Sequence, residues 1–155
     1  MKMCILTPGK PRLKGVDALM EHYKKLIGRH VALDIVYTRT ASANMSPAAG
    51  KQKEGEELLR ACPADYVKVA MDEHGKELTS VELAAHITKW QNASRKGIAF
   101  FIGGPDGLDD AVLSCADIKL ALSRFTMPHD LARVILIEQL YRAYSIKAGH
   151  PYHRV

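Results

Sequence analysis

Cysteine is scarce in this chain: Cys4, Cys62 and Cys115 are three in 155 residues, odd in number and far apart. A disulfide framework is thereby excluded, as are the paired-cysteine spacings that hold zinc, and the three read as buried thiols in a reducing compartment. Long apolar runs are missing too. The opening MKMCILTPGK has too short an apolar stretch for a secretory signal. Nothing approaches the roughly 18 apolar residues of a membrane span, so the expectation is a cytoplasmic protein without a membrane partner. Three catalytic signatures are also lacking: the G-x-G-x-x-G dinucleotide fingerprint, the phosphate loop ending in Gly-Lys-Ser/Thr, and the G-x-S-x-G elbow of hydrolases.

What is present is an ordinary globular composition, 47% hydrophobic and 25% charged, at a length suited to one domain spanning residues 1–155. The net charge of +5 is unevenly placed. Residues 1–39 hold eight Lys or Arg against three Asp or Glu, whereas the remainder is nearly balanced. Lys10, Arg12, Lys14, Lys24, Lys25 and Arg29 therefore form a candidate surface for RNA phosphates, beside the plainer reading of a solvated helix face.

Strand-like and helix-like patterns alternate along the chain. KMCILT is a short apolar run stopped by Pro8-Gly9 and reads as a buried strand. Val16, Leu19, Met20, Tyr23, Leu26 and Ile27 form one helical stripe, with Gly28 as its stop. VALDIVYT is a second strand, and a small-residue loop follows to Pro47, which opens the next helix. Tyr66 to Met71 reads as a third strand ending in a turn around Gly75. Thr79 and Glu82 make a capping box for a helix to about Asn92, with Val81, Ala84, Ile87 and Trp90 or Gln91 inward. GIAFFIGG is the most apolar strand, LDDAVLSCA a short helix, DIKLALS a last strand, and a long apolar helix runs from Pro128 to about Ala148. The pattern predicts an α/β fold with a mainly parallel sheet and helices on both faces. In the final helix Leu131, Ile135, Ile137 and Leu140, widened by Val134, Tyr141 and Tyr144, leave Arg133, Glu138 and Arg142 needing partners, some of which a dimer interface could supply.

Ligands in a parallel sheet collect where strands end and the next helices begin. Three such ends stand out: VAMDEHG, FFIGGPDG and LALSRFTMPHD. Gly103, Gly104 and Gly107 suit a close backbone approach, although an ordinary strand-to-helix turn looks the same. Ser123, Phe125, Thr126 and Met127 before Pro128 could wrap a flat aromatic ring; the plainer reading is a helix start capped by Thr126. The terminal GHPYHRV carries His150, Tyr152, His153 and Arg154. A metal site there is disfavoured, because no carboxylate or thiol lies nearby and Pro151 breaks any helix that would align the two histidines.

FFIGGPDGL, LSRFTMPHDLARVILIEQLYRAYSI and HPYHR, in this order and with TPGK after the first strand, resemble the RlmH family of SPOUT-type methyltransferases. These enzymes methylate N3 of a pseudouridine in the RNA of the bacterial large ribosomal subunit. The resemblance covers the whole chain and is strongest from Phe100 to Arg154. It implies a C-terminal trefoil knot, a homodimer, and S-adenosyl-L-methionine as methyl donor, released as S-adenosyl-L-homocysteine. Carried over by position, the cofactor contacts are Met71, Gly103, Gly104, Ser123, Arg124, Phe125, Thr126, Met127 and Pro128. The substrate is then the 23S ribosomal RNA of the assembled ribosome; a methyltransferase of this class acting on tRNA, or a non-catalytic RNA-binding module, are the alternatives. Met71 stands where leucine is usual, Gly149 replaces a common asparagine, and Val155 a common glutamate.

Methyl transfer from a sulfonium needs the nucleophile behind the methyl carbon, at roughly 3 to 3.5 Å. The N3 of a pseudouridine bears a proton, so a base or a cation that stabilises the developing imidate is required. Tyr152, His153 and Arg154 are the candidate catalytic group, with His129 beside the cofactor loop as a second candidate base.

Overall fold

The computed structural model describes residues 1–154, so the substitution at Val155 lies outside the described residues. Among them, strands and helices alternate strictly. They are β1 (Lys2–Pro8), α1 (Val16–Ile27), β2 (Ala32–Thr38), α2 (Pro47–Ala61), β3 (Tyr66–Glu77), α3 (Ser80–Gln91), β4 (Gly97–Phe101), α4 (Asp110–Cys115), β5 (Ile118–Ala121) and α5 (His129–Lys147). The five strands form one sheet in the order β2-β1-β4-β3-β5, and every pairing is parallel. Side chains alternate across it. From β1, Met3 and Ile5 enter a core built with Met20 of α1, Ile87 of α3 and Ile137 of α5. Cys4 and Leu6 enter a second core with Leu58 of α2 and Val112 of α4. Burial on both faces explains why β4 is apolar at every position. The expected α/β layering is the one observed.

Helix starts follow local chemistry. Ser46 accepts from the amide of Ala49 and Pro47 opens α2. The capping box of Thr79 and Glu82 forms at α3. No helix among the described residues is long and apolar enough to cross a membrane.

Several expectations need correction. Leu19 is 47% exposed and Val81 52% exposed; the buried face is narrower in α1, with Val16, Met20 and Ile27, and turned in α3, where Leu83 rather than Val81 joins Ala84, Ile87 and Trp90. In α5, Leu131 is exposed and Leu136 lies buried beside Ile137 and Leu140, because the helix packs against α1 and α3 over the sheet with Asp130, Arg133, Leu136, Ile137 and Leu140 on its covered side. The thiols differ from one another: Cys4 is buried, Cys62 half-buried and Cys115 exposed at the end of α4. The largest departure is in β3. The strand does not stop at Met71; it makes an excursion over residues 72–75 and resumes, so that Met71 and Lys76 both pair with Leu120. Gly75 permits this, since a Cβ there would stand 2.7 Å from backbone atoms of Lys119 and Leu120.

Candidate active site

The strand order puts the carboxyl ends of β4, β3 and β5 side by side. Residues following these ends enclose a cleft of about 700 Å³. Met71, Ile102, Leu108, Leu120 and Leu122 give it an apolar lining. One wall is the glycine turn. Gly107, at φ 81°, donates its amide to the carbonyl of Gly104 at 3.0 Å. A Cβ on Gly103 would collide with the backbone of Gly107, and one on Gly104 would stand 2.9 Å from Oε2 of Glu54.

The opposite wall is the 123–128 loop. Ser123 Oγ accepts from the amide of Phe125 at 3.0 Å. Thr126 is not the helix cap: its hydroxyl donates to Oε2 of Glu73 at 3.0 Å, and Pro128 occupies the cap position of α5 without a side-chain hydrogen bond. The first amides of α5 are thus left for other partners. Phe125 is 83% exposed at the rim. Of the nine residues assigned to the cofactor by resemblance, all but Arg124 line the cleft. Arg124 instead lies with Nε 3.6 Å from Oε1 of Glu77.

Charge on the cleft is biased. Asp72, Glu73, Asp106 and Asp110 face it against Lys51. The apolar lining suits an adenine ring, the glycine turn presents bare backbone to the cleft, and the carboxylates suit a ligand carrying ammonium and sulfonium charge. These residues fit S-adenosylmethionine. Sequence reasoning missed the four carboxylates. The Asp72-Glu73 pair directly after an apolar strand was the available signal.

His129, half-buried at the start of α5, borders the cleft, and its Nε2 stands 3.7 Å from Oδ1 of Asp130. Asp130 is buried. Its Oδ2 accepts from the amides of Arg12 at 2.9 Å and Leu13 at 2.8 Å, and its Oδ1 from Nη1 of Arg133 at 3.2 Å. Burial alone would raise this carboxyl, but the Leu13 and Arg12 amides and the Arg133 charge outweigh it and hold it below the ordinary range. Arg133 is fully buried, donating also to Thr7 Oγ1 at 3.0 Å and to the Pro8 carbonyl at 2.6 Å. Its partners all lie within this chain, as does the Glu138 that pairs with Arg142 at 2.6 Å.

The tail residues lie elsewhere. Tyr152 donates to Oε1 of Glu138 at 3.0 Å and packs on Tyr141 with ring centroids 4.6 Å apart. His153 Nδ1 is 3.5 Å from Nη1 of Arg142, while its Nε2 is buried with no hydrogen-bond partner among the described residues. Arg154 and His150 are exposed. None of residues 150–154 lines the cleft. Glu138 sits nine residues along α5 from His129, about 13 Å of helix rise. Within one chain the structure gathers eight of the nine cofactor positions and His129, and leaves Arg124, Tyr152, His153 and Arg154 off the cleft.

Comparison with known proteins gives the context. A protein named Ribosomal RNA large subunit methyltransferase H from Maridesulfovibrio salexigens is 45% identical over 135 residues, 86% of each chain. Proteins of the same name from Desulfotalea psychrophila and Neisseria meningitidis serogroup C are 37% and 40% identical. They cover 99% of this chain and 100% and 99% of their own. A solved structure of a probable methylase family protein from Haemophilus influenzae Rd KW20 shares the fold at TM-score 0.55 and 11% identity, over 99% of this chain and 70% of that one. The family model described as "Predicted SPOUT methyltransferase" matches residues 1–153, and with these full-length relatives it shows that the chain belongs to the SPOUT methyltransferase family.

Proposed function

We propose that the protein methylates N3 of a pseudouridine in 23S ribosomal RNA of the large subunit, using S-adenosyl-L-methionine, on the assembled ribosome and as a homodimer. In this reading residues 1–155 act as one domain, and the C-terminal part of the chain is tied in the trefoil knot of SPOUT enzymes. The observation that carries it is the cleft at the ends of β3, β4 and β5, in which eight of the nine cofactor positions converge. Relatives at 35–45% identity carry the ribosomal RNA methyltransferase name.

When bound in the cleft, S-adenosylmethionine would supply an electrophilic methyl group, with S-adenosylhomocysteine as the leaving group. The chain's own residues do the rest. The apolar lining and the 123–128 loop hold the flat ring and exclude water from it. Asp72, Glu73, Asp106 and Asp110 favour the cationic donor over its neutral product. His129, at the cleft's edge, is placed to take the N3 proton at an imidazole nitrogen. Glu138 holds Tyr152 and Arg142 lies beside His153, outside the cleft of their own chain, which supports a reading in which Tyr152, His153 and Arg154 complete the site of a second subunit. There the Arg154 guanidinium stabilises the imidate that forms as N3 loses its proton.

Mass spectrometry of ribosomal RNA from cells with and without this protein tests the reading. The expected result is loss of one methyl from a single pseudouridine of the large-subunit RNA, restored by the purified protein acting on ribosomes. Unchanged large-subunit RNA, or loss of a methyl from tRNA instead, would overturn it.

A further inference from the structure

Next to the cofactor cleft lies a second one of about 640 Å³. The two share Gly104, Pro105, Asp106 and His129 as a common wall. The remaining sides come from residues 8–12 after β1 and 40–47 after β2, so the second cleft continues the first along the same edge of the sheet.

Its lining is of a different kind. Leucines and isoleucines are absent; Lys10 and Arg12 supply cations on the 8–12 side, Thr40, Ser42 and Ser46 supply hydroxyls, and the carboxylates of Glu54 and Asp106 lie on other sides. Both sides are tied down before any ligand arrives. The 8–12 side is fixed by Asp130 through the Arg12 and Leu13 amides and by Arg133 through the Pro8 carbonyl. The 40–47 side is fixed by Glu54, whose Oε1 accepts from the amide of Ala41 at 3.1 Å. The two sides meet where Gly9, at φ +68°, passes so close to Thr40 that a Cβ would stand 2.7 Å from Cγ2. A polar, pre-formed cleft with cations on one side suits an anionic, ring-bearing ligand.

We propose that this second cleft receives the flipped-out target nucleotide of the RNA, with its phosphate on Lys10 and Arg12 and its base edge directed past His129 into the cofactor cleft. The inference rests on the methyltransferase reading and specifies where its substrate sits. A base buried in a folded RNA cannot reach a cofactor in a cleft unless it leaves its stack, and a neighbouring cavity of nucleotide size gives it a destination. The shared wall explains how the two ligands meet: His129 borders both, and at Gly104 the wall carries no side chain. It also gives part of the basic N-terminal segment a use, since phosphate contacts position an RNA.

The test uses the full-length protein and assembled ribosomes. Ala43 is exposed and lines only the second cleft, so Ala43→Trp fills that cleft without disturbing a core. The expected result is at least a tenfold loss in kcat/KM for ribosomes with S-adenosylhomocysteine affinity within twofold of wild type. A photoreactive benzoylphenylalanine at position 43 should crosslink to the nucleotide that wild-type protein methylates. The double variant Lys10→Ala, Arg12→Ala should raise KM and lessen the salt dependence of ribosome binding. Wild-type methylation by Ala43→Trp, or a crosslink remote from the methylated nucleotide, would overturn the proposal while leaving the enzyme's activity established. An inactive wild-type protein would instead defeat the functional reading itself.

Discussion

The phenol of Tyr152 is held by Oε1 of Glu138 at 3.0 Å, on a carboxylate that Arg142 already grips at 2.6 Å, and the Arg142 guanidinium carbon lies 4.8 Å from the centre of the Tyr152 ring. A tail that would otherwise fray is thereby fastened to the middle of α5. Burial first, then the hydroxyl of Tyr23 and the Glu138 carboxylate, push the Tyr152 phenol well above its ordinary value. Tyr152 is therefore protonated throughout the physiological range and is no base. What it does in the fold is pack on Tyr141 and donate to Glu138. We expect Tyr152→Phe to lower the rate on ribosomes through KM and kcat while the pH–rate profile keeps its wild-type shape. A lost limb in that profile would return Tyr152 to the list of proton acceptors.

Asp130 and Arg133 form the buried joint between α5 and the segment after β1. Arg133 is fully buried, so Asp130→Asn leaves a charge without its counter-ion and should destabilise the fold by roughly 3–5 kcal/mol. The pH dependence follows from the lowered carboxyl. Its folded-state value lies below the ordinary 3.8, so its stabilisation is fully present above that value and is lost as pH falls through the folded one. Urea unfolding should show a gap between wild type and Asp130→Asn that is constant from neutrality to about pH 5 and narrows in stronger acid. A gap that widens in acid would contradict the assignment.

Gly75→Ala tests the excursion of β3. The added Cβ would meet backbone of Lys119 and Leu120, which cannot retreat as a side-chain tip can. Overpacking of this kind typically costs about 1–3 kcal/mol. Because residues 72–75 carry Asp72 and Glu73 into the cleft, S-adenosylhomocysteine and S-adenosylmethionine affinities should fall together with thermal stability. Calorimetric binding and a melting curve on the same sample check both.

This excursion shows what a sequence withholds. The three strand ends that build the cleft were legible, because apolar runs broken by glycine, as at Gly103, or by polar residues, as at Asp72 and Ser123, mark where a parallel sheet presents its edge. That β3 continues past Gly75 was not, since MDEHG reads equally as a turn, and only the neighbouring backbone of β5 decides. Leu19 and Val81 failed for a related reason: periodicity marks an apolar stripe but not which of its edges the neighbouring elements cover. The Asp130–Arg133 pair looks like any ion pair one turn apart at a helix start. Nothing local reveals that the amides of Arg12 and Leu13, over a hundred residues away, arrive to bury it.

Arg124 and Thr126 separate resemblance from geometry. Both were assigned to the cofactor, yet Arg124 points to Glu77 and Thr126 fastens the loop to Glu73 across the cleft mouth. Arg124→Ala should change S-adenosylhomocysteine affinity by less than twofold. Thr126→Val keeps the shape and removes the hydroxyl, and a partly exposed hydrogen bond of this kind should weaken binding by a few-fold. A tenfold loss in Arg124→Ala would show that its side chain swings onto the ligand.

Mixed dimers decide whether the tail works across subunits. One variant, His129→Ala, keeps the tail and lacks the imidazole at the cleft; the other ends after Ala148 and keeps the imidazole. Each alone should be inactive on ribosomes, and the truncated variant should retain cofactor affinity because no tail residue lines that cleft. If the tail serves the partner's cleft, a heterodimer of the two holds one complete site, the truncated subunit's cleft with the tail of the His129→Ala subunit. Co-refolded mixtures should then regain methylation, up to about a quarter of wild type if subunits exchange at random. If the tail served its own cleft, every site in the mixture would lack one part and no activity would return. The 13 Å of α5 between His129 and Glu138 favours the first outcome, and single-turnover methylation of ribosomes by the mixture measures it.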